Sequence, residues 1–271
     1  MKDKTALKNK KLFLMDMDGT IYLDETLFDG TLDFLKRVKA NGGRYIFLTN
    51  NSSRGTEGYI AKMARMGIEA HPEDFVTSAD AAIRYLKGTC APETVYYLCG
   101  TESLKGMLRD AGLKVYEKKD GDLMQCSVVL LGYDTELTYE KLTDCCRLLM
   151  AGKDYVATHP DLVCPVSYGS APDCGSVIEM LFTCTKRRPK VIGKPQPEMA
   201  YLAMEKTGCT KEETCIVGDR IYTDIACGVN AGIDSLFVLS GEGVLSDIEK
   251  YKVTPAYVFQ NIREIAEVIK S

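Results

Sequence analysis

The sequence is dominated by one repeated pattern, in which short apolar runs of strand length alternate with helical patterns, several of which end at a glycine. This alternation is typical of a mostly parallel sheet whose strands are joined by crossover helices, so we predict an α/β fold. The predicted strands are residues 12–15, 45–48, 95–98, 128–131, 155–157, 191–192, 215–217 and 236–239. The predicted helices include 59–66, 201–205 and 262–269.

Composition narrows the function classes. With 34 Lys and Arg against 38 Asp and Glu, the 271-residue chain has a net charge of −4. It therefore lacks the basic field that binds nucleic acid or an anionic membrane, and we expect neither partner. The apolar run after the N-terminal lysines stops at Asp16, too early for a signal peptide. Eleven cysteines without a C-x-x-C spacing indicate buried thiols and a cytoplasmic protein.

Two polar or breaker-rich segments, residues 77–79 and 186–189, flank a middle block that has its own strands and helices. We interpret them as hinges around an inserted domain. The predicted division is a core of residues 1–77 plus 189–271 and an inserted domain of residues 78–188. The lysine-rich first ten residues are expected to form a solvated, frayed arm.

The strongest local signal is Asp16-Met17-Asp18-Gly19-Thr20, directly after the first predicted strand. Active sites of open α/β sheets lie at the carboxyl ends of strands. If the strand stays extended, both carboxylates share one face, where they repel by about 4 kcal/mol at 4 Å unless a cation lies between them. Mg²⁺ suits such a pair because it prefers oxygen ligands. The alternative is an Asp-rich turn with Gly19 in a left-handed conformation.

Polar residues follow the second strand in the same way. Thr49, Asn50 and Asn51 precede Ser52 and Ser53 at the expected start of a helix. Hydroxyl, amide and helix N-terminal N–H groups at one point favour phosphate binding. Simple capping of that helix by Asn51 or a following serine is the alternative.

Two later strand ends add charge. Gly218-Asp219-Arg220 is followed by Asp224, and Lys194 stands between a glycine and a proline. Read alone, Asp224 is a helix-start carboxylate and Lys194 a surface residue. Taken together with Asp16 and Asp18, the four carboxylates carry a charge that Lys194 and one Mg²⁺ largely balance.

These four segments, in this order, resemble the motifs of the haloacid dehalogenase superfamily of aspartate-nucleophile phosphatases. The resemblance covers roughly residues 11–77 and 189–271. The middle block is similar to the α/β cap of the NagD and 4-nitrophenylphosphatase branch, in which residues 157–161 and 169–175 resemble segments that face the substrate. The resemblance implies a Rossmann-like parallel-sheet core with an inserted α/β cap domain.

The resemblance also implies roles for individual residues. Asp16 would attack phosphorus, and Asp18 would protonate the leaving oxygen and later deprotonate water. The metal, Mg²⁺, would be bound by the Asp16 carboxylate, the Asp18 backbone carbonyl and Asp219, with Asp224 in the outer shell. The residues expected to bind the transferring phosphoryl group, or to shape its loop, are Thr49, Asn50, Asn51 and Lys194.

The cap segments depart from the family pattern at His159, which replaces an asparagine, and at Asp173, which replaces a glycine. These residues are candidates for substrate specificity, although we expect His159 to cap local backbone. The expected function is hydrolysis of a small phosphorylated metabolite, such as a sugar phosphate, phosphoglycolate, a nucleotide or 4-nitrophenyl phosphate. The alternatives are a phosphoryl transferase or mutase and a non-catalytic phosphometabolite-binding protein. A homodimer through the cap is also expected.

Overall fold

A computed structural model describes residues 3–166 and 168–270 and divides into two compact units. The first comprises residues 1–49, 56–76 and 194–271, and the second comprises residues 50–55 and 77–193. The second unit is thus inserted into the sequence of the first, as an inserted domain requires. Its limits differ from the predicted 78–188, because residues 50–55, residue 77 and residues 189–193 also belong to it.

The strands are β1 (Leu12–Met15), β2 (Tyr22–Leu23), β3 (Thr26–Leu27), β4 (Arg44–Thr49), β5 (Phe75–Thr77), β6 (Val95–Cys99), β7 (Lys114–Val115), β8 (Val128–Leu131), β9 (Asp154–Ala157), β10 (Val163–Val166), β11 (Gly169–Pro172), β12 (Lys190–Val191), β13 (Thr214–Gly218), β14 (Asp234–Val238) and β15 (Tyr257–Phe259). The helices are α1 (Thr31–Ala40), α2 (Glu57–Arg65), α3 (Ser78–Thr89), α4 (Glu102–Asp110), α5 (Tyr139–Met150), α6 (Cys174–Thr185), α7 (Glu198–Thr207), α8 (Ala226–Ala231), α9 (Asp247–Tyr251) and α10 (Ile262–Val268).

The sheet of the first unit has the strand order β15-β14-β13-β1-β4-β5. Strand β1 pairs in parallel with β13 on one side and β4 on the other, with Met15 opposite both Val217 and Phe47. All four residues of β1 are buried, which explains why the strand reads as a continuous apolar run. This register brings the carboxyl ends of three strands to one edge, and the predicted parallel α/β fold is confirmed.

The N-terminal segment is not a frayed arm, and that prediction is wrong for the residues the structure describes. Residues Lys4–Asn9 form a 3₁₀ helix, in which Leu7 is fully buried in the core of the first unit. Lys10 Nζ lies 2.8 Å from Asp234 Oδ2 and donates to the carbonyl of Glu212 at 2.6 Å. The lysines around Leu7 make this segment polar overall, so its one buried apolar residue was not predicted from the sequence. Met1 and Lys2 lie outside the described residues.

The second unit has its own sheet, with strand order β12-β9-β8-β6-β7, and an antiparallel hairpin of β10 and β11. The sheet strands pair in parallel, and Leu131 of β8 and Leu181 of α6 lie in its core. Strand β12 pairs with β9 through Val191 and Ala157, which explains why the unit extends beyond the predicted limit at residue 188.

Every helix in the described part of the chain is too short or too polar to cross a membrane. Within residues 3–166 and 168–270 none of the eleven cysteines forms a disulfide.

Candidate active site

Three carboxylates converge at the carboxyl edge of the first unit's sheet. Asp16 follows β1, with its backbone N–H donating to the carbonyl of Val217 at 2.9 Å, and Asp219 follows β13. Asp224 lies in a π-helical turn, Ile221–Ile225, that leads into α8. One carboxylate oxygen from each aspartate lies within 4.8 Å of the others. The structure therefore gathers oxygen ligands that are far apart in the sequence.

Lys194 is the counter-charge of this cluster. Its Nζ lies 2.6 Å from Asp16 Oδ1 and 2.6 Å from Asp224 Oδ1, and the side chain is only 4% exposed. Burial alone lowers the pKa of a lysine, but the charges of Asp16 and Asp224 outweigh burial, so the pKa of Lys194 lies above its ordinary value. The ammonium is thus permanently charged and fixes one oxygen of Asp16.

The acidic groups carry more negative charge than Lys194 neutralises. Burial, followed by the charge of Asp16, raises the pKa of Asp219 to about 7 and that of Asp224 to about 6. Three carboxylates and one ammonium leave two negative charges when all are ionised, which a divalent cation would neutralise. An all-oxygen set of carboxylates fits a hard divalent metal ion.

Backbone groups surround Asp219 closely and fix its orientation. The backbone N–H of Glu242 donates to Asp219 Oδ2 at 2.7 Å, while Thr20 Oγ1 lies 3.5 Å from Oδ1. A Cβ at Gly19 would come within 2.4 Å of Asp219 Oδ2, and one at Gly241 within 2.0 Å. Glycine at both positions lets the backbone approach the carboxylate, so Asp219 is held in place before any ligand binds.

Asp18 lies in a different environment from Asp16. Strand β1 ends at Met15 and the chain turns at Gly19, which has a φ of +84°, so the two carboxylates both lie beyond the end of the strand. Asp18 stays 60% exposed at its side chain, and Lys62 Nζ lies 3.5 Å from its Oδ1. Tyr22 donates its hydroxyl to Asp18 Oδ2 at 3.5 Å. An exposed carboxylate beside the metal-ligand cluster is suited to exchanging protons with a substrate or water.

The residues after β4 are arranged differently from the prediction. Helix α2 begins at Glu57 with Thr56 before it, so the expected helix start next to Thr49 and its capping by Asn51 or a following serine are wrong. Asn51 instead accepts from the backbone N–H of Ser53 at 2.9 Å, which forms a local turn. Thr49 is 8% exposed and ends its strand in the first unit.

Asn50 belongs to the second unit, where its Nδ2 donates to both carboxylate oxygens of Asp161 at 3.1 Å. The phosphate-binding roles of Thr49, Asn50 and Asn51 stay predictions.

The two departures from the family pattern meet in the second unit. His159 Nε2 lies 3.6 Å from Asp173 Oδ1, and its Nδ1 lies 3.5 Å from Asp161 Oδ2. The side chain of His159 is fully buried, and neither ring nitrogen makes a hydrogen bond to the described residues. The expected capping of backbone by His159 is therefore wrong. Burial, opposed by the nearby His159, raises the pKa of Asp173.

Several residues of the site were not assigned a role from the sequence. Thr20 belongs to the first motif, but its position between Asp16 and Asp219 depends on a contact across 199 residues. Glu242 contacts Asp219 through its backbone N–H, and such a contact cannot be predicted from the type of residue. Lys62 is one of several lysines on helix surfaces, and only the packing of α2 reveals its role.

A parallel sheet with a cluster of potential metal ligands and a buried lysine at its carboxyl edge fits a site for phosphoryl transfer. The chain matches the haloacid dehalogenase-like hydrolases over residues 13–114 and a second profile, HAD-hydrolase-like, over residues 191–265. It belongs to the haloacid dehalogenase-like hydrolases.

The names of similar proteins indicate which branch of this family the chain resembles. The chain is 34% identical to an acid sugar phosphatase of Staphylococcus aureus over 265 residues, which cover 97% of this chain and 100% of the relative. It is 39% identical to a 4-nitrophenylphosphatase from Thermotoga maritima, with a TM-score of 0.89 and coverage of 98% and 99%. A glycerol phosphate phosphatase from Mycobacterium tuberculosis, solved in complex with magnesium, gives 29% identity, a TM-score of 0.88 and coverage of 97% and 78%.

The predicted family and its NagD and 4-nitrophenylphosphatase branch are thereby confirmed. The chain is an enzyme of the phosphatase class.

Proposed function

We propose that the protein is a Mg²⁺-dependent phosphomonoester hydrolase that acts on a small phosphorylated metabolite through an aspartyl-phosphate intermediate. The observation that carries this proposal is the Asp16 carboxylate, which is gathered with Asp219 and Asp224 and held by Lys194 at 2.6 Å. A sugar or polyol phosphate is the substrate class favoured by the names of the relatives.

In this proposal a carboxylate oxygen of Asp16 attacks phosphorus, and the bond from phosphorus to the substrate oxygen breaks. Asp18 gives its proton to the leaving alkoxide, then takes a proton from the water that attacks the phosphoaspartate. The water oxygen ends in inorganic phosphate, and Asp16 returns as a carboxylate. The exposure of Asp18 supports this exchange of protons, because solvent reaches its carboxyl group.

Asp16 and Asp219 would hold Mg²⁺ with the Asp18 carbonyl, while Asp224 orients Lys194. The bound ion would screen the phosphate charge from the acidic cluster. Lys194, Thr49 and Asn50 would bind the phosphoryl oxygens, with Asn51 shaping the loop. Charge stabilisation of this kind is the main catalytic contribution in phosphoryl transfer.

The cysteine thiols support a cytoplasmic location, where disulfides are rare.

The test is release of 4-nitrophenol from 4-nitrophenyl phosphate with Mg²⁺ and then with a chelator, alongside a set of sugar phosphates. We expect Asp16→Asn to lower kcat by at least about a thousandfold, because no nucleophile remains. Asp33→Asn is the matched control, since Asp33 pairs only with Arg37 on the surface of α1 among the contacts the structure describes. Unchanged turnover in Asp16→Asn, or turnover that survives chelation, would refute the proposal.

A further inference from the structure

A second cluster of potential metal ligands lies within the second unit and consists of His159, Asp161 and Asp173. His159 and Asp161 follow β9, and Asp173 stands directly before α6. One ligand atom from each residue lies within 4.8 Å of the other two. The chemical steps proposed above use none of these side chains, and the substrate-specificity roles of His159 and Asp173 stay predictions.

The histidine ring is the informative member. Its side chain is fully buried, and both Nδ1 and Nε2 are without a hydrogen bond to any residue the structure describes. A neutral imidazole has one donor and one acceptor nitrogen, and leaving either buried and unsatisfied costs about 1–3 kcal/mol. A ligand on the ring would remove part of that cost.

The distances around the ring are too long for hydrogen bonds. The separations of 3.5 Å from Nδ1 to Asp161 Oδ2 and 3.6 Å from Nε2 to Asp173 Oδ1 exceed the usual limit of about 3.2 Å for N–H···O bonds. Neighbouring ligands of a tetrahedral zinc ion, with bonds of about 2.0–2.1 Å, are about 3.3–3.4 Å apart. One ion binds only one nitrogen of the ring, so these two distances do not both describe neighbouring ligands. The observation that fits a single ion is that one ligand atom from each of the three residues lies within 4.8 Å of the other two, and the carboxylates would have to rotate to shorten that separation.

Other contacts already orient the carboxylates. Asn50 Nδ2 donates to both oxygens of Asp161 at 3.1 Å, and the backbone N–H of Cys174 donates to Asp173 Oδ1 at 2.5 Å. Outer contacts of this type are the usual support of metal-binding carboxylates. The Asp161 side chain is 18% exposed, which gives an ion a route from solvent.

We propose that His159, Asp161 and Asp173 bind one divalent transition-metal ion of the zinc type. One imidazole nitrogen and two carboxylates suit Zn²⁺, whereas Mg²⁺ takes oxygen ligands, so the two clusters select different cations. The ion would tie the turn after β9 to the start of α6. A protonated ring between two carboxylates, with no metal, is the competing arrangement that the experiment must separate.

The experiment uses the full-length chain carrying Asp219→Asn, which removes a ligand of the first cluster. Zn²⁺ is titrated calorimetrically and the bound metal counted after dialysis, while the visible spectrum with Co²⁺ reports the ligand type. We expect one Zn²⁺ per chain and a tetrahedral Co²⁺ spectrum without thiolate bands. His159→Asn should weaken binding by more than the roughly 10–100-fold loss that follows removal of an outer contact.

The chain offers a matched control, because it contains two histidines and His71 is 58% exposed at its side chain. His71→Asn should leave Zn²⁺ binding unchanged. The proposal is overturned if the protein retains no Zn²⁺, if His159→Asn binds it as tightly, or if Co²⁺ shows thiolate ligands. Should His159→Asn fail to fold, Asp173→Asn and the Co²⁺ spectrum of the His159-containing chain decide the question.

Discussion

Lys194 shows how one residue can set the charge of a whole site. Its ammonium contacts the half-buried carboxylate of Asp16 and the buried carboxylate of Asp224 at the edge of a sheet. The same contacts fix one oxygen of Asp16, the residue that we propose as the nucleophile. In the proposed mechanism, stability and catalysis depend on the same two ion pairs, and the effects of changing Lys194 should appear in both.

We expect Lys194→Met to lower the free energy of unfolding by about 3–5 kcal/mol, because it leaves buried carboxylates without their partner. We also expect kcat to fall by about 10²–10³-fold, since the phosphoryl charge loses its fixed cation. Urea unfolding and steady-state kinetics measure the two effects. Lys250→Met, on an exposed side chain, should change neither. Wild-type kcat in Lys194→Met would contradict the assigned role.

Substitution of Gly19 tests, again for a single residue, the close packing around Asp219. Gly19 and Gly42 both have positive φ, +84° and +69°, but only a Cβ at Gly19 would meet Asp219. We expect alanine at either position to cost about 1–2 kcal/mol of stability from backbone strain, with a further loss at Gly19 because its Cβ would clash with Asp219. Gly19→Ala alone should weaken Mg²⁺ binding, by roughly 10–100-fold, as measured by calorimetry. Equal Mg²⁺ affinity in both variants would show that the contact is unimportant.

At the scale of elements, the ends of strands decide where side chains go. Strand β1 stops at Met15, and the π-helical turn Ile221–Ile225 carries Asp224 back toward the sheet edge. The backbone N–H of Arg220 donates to Asp224 Oδ2 at 3.2 Å, which fixes the start of that turn. The N-terminal 3₁₀ helix is positioned in another way, by one buried apolar side chain in a segment that otherwise contains several lysines.

We expect Leu7→Ala to destabilise the protein by about 2–5 kcal/mol, because it leaves a cavity in the core of the first unit. Chemical denaturation measures the change. Leu23, which is 58% exposed, is the matched control, and Leu23→Ala should stay within about 0.5 kcal/mol of wild type. A negligible effect of Leu7→Ala would restore the frayed arm predicted from the sequence.

For the whole molecule, the acidic cluster links stability to pH and to metal. The pKa of Asp219 is raised to about 7 and that of Asp224 to about 6, first by burial and then by Asp16. Both lie above the values of an unfolded chain, so the folded protein binds more protons at intermediate pH. Stability without metal should therefore fall as pH rises from about 4 to about 7.

We expect the thermal midpoint in chelator to fall from pH 5 to pH 8, while Mg²⁺ reduces that fall by pairing with the ionised carboxylates. The gain from Mg²⁺ should thus be larger at pH 8. Differential scanning calorimetry at both pH values measures it, and Asp219→Asn should have a shallower decline in chelator. A midpoint that rises with pH in chelator would contradict the assignment of these two carboxyl groups.

The homodimer expected through the cap stays a prediction at this scale.

Much of this protein is determined locally by its sequence. The apolar runs of β1 and β13 are typical of strands that are buried in a parallel sheet. Residues directly after such a strand lie at the edge of the sheet. Asp16 and Asp219 could therefore be placed at one edge of the sheet from their positions directly after predicted strands. The glycine after α7 likewise marks the end of that helix, where Gly208 is left-handed at a φ of +72°.

Only the tertiary structure decided which distant groups meet. Lys194 and Asp16 are 178 residues apart, Asn50 contacts Asp161 across 111, and Leu7 is buried by segments far from it. The pairing of β12 with β9 moved the domain limit, and packing buried His159 between two carboxylates. Periodicity reports which face of an element is apolar, but the partner of a polar side chain depends on how whole elements pack.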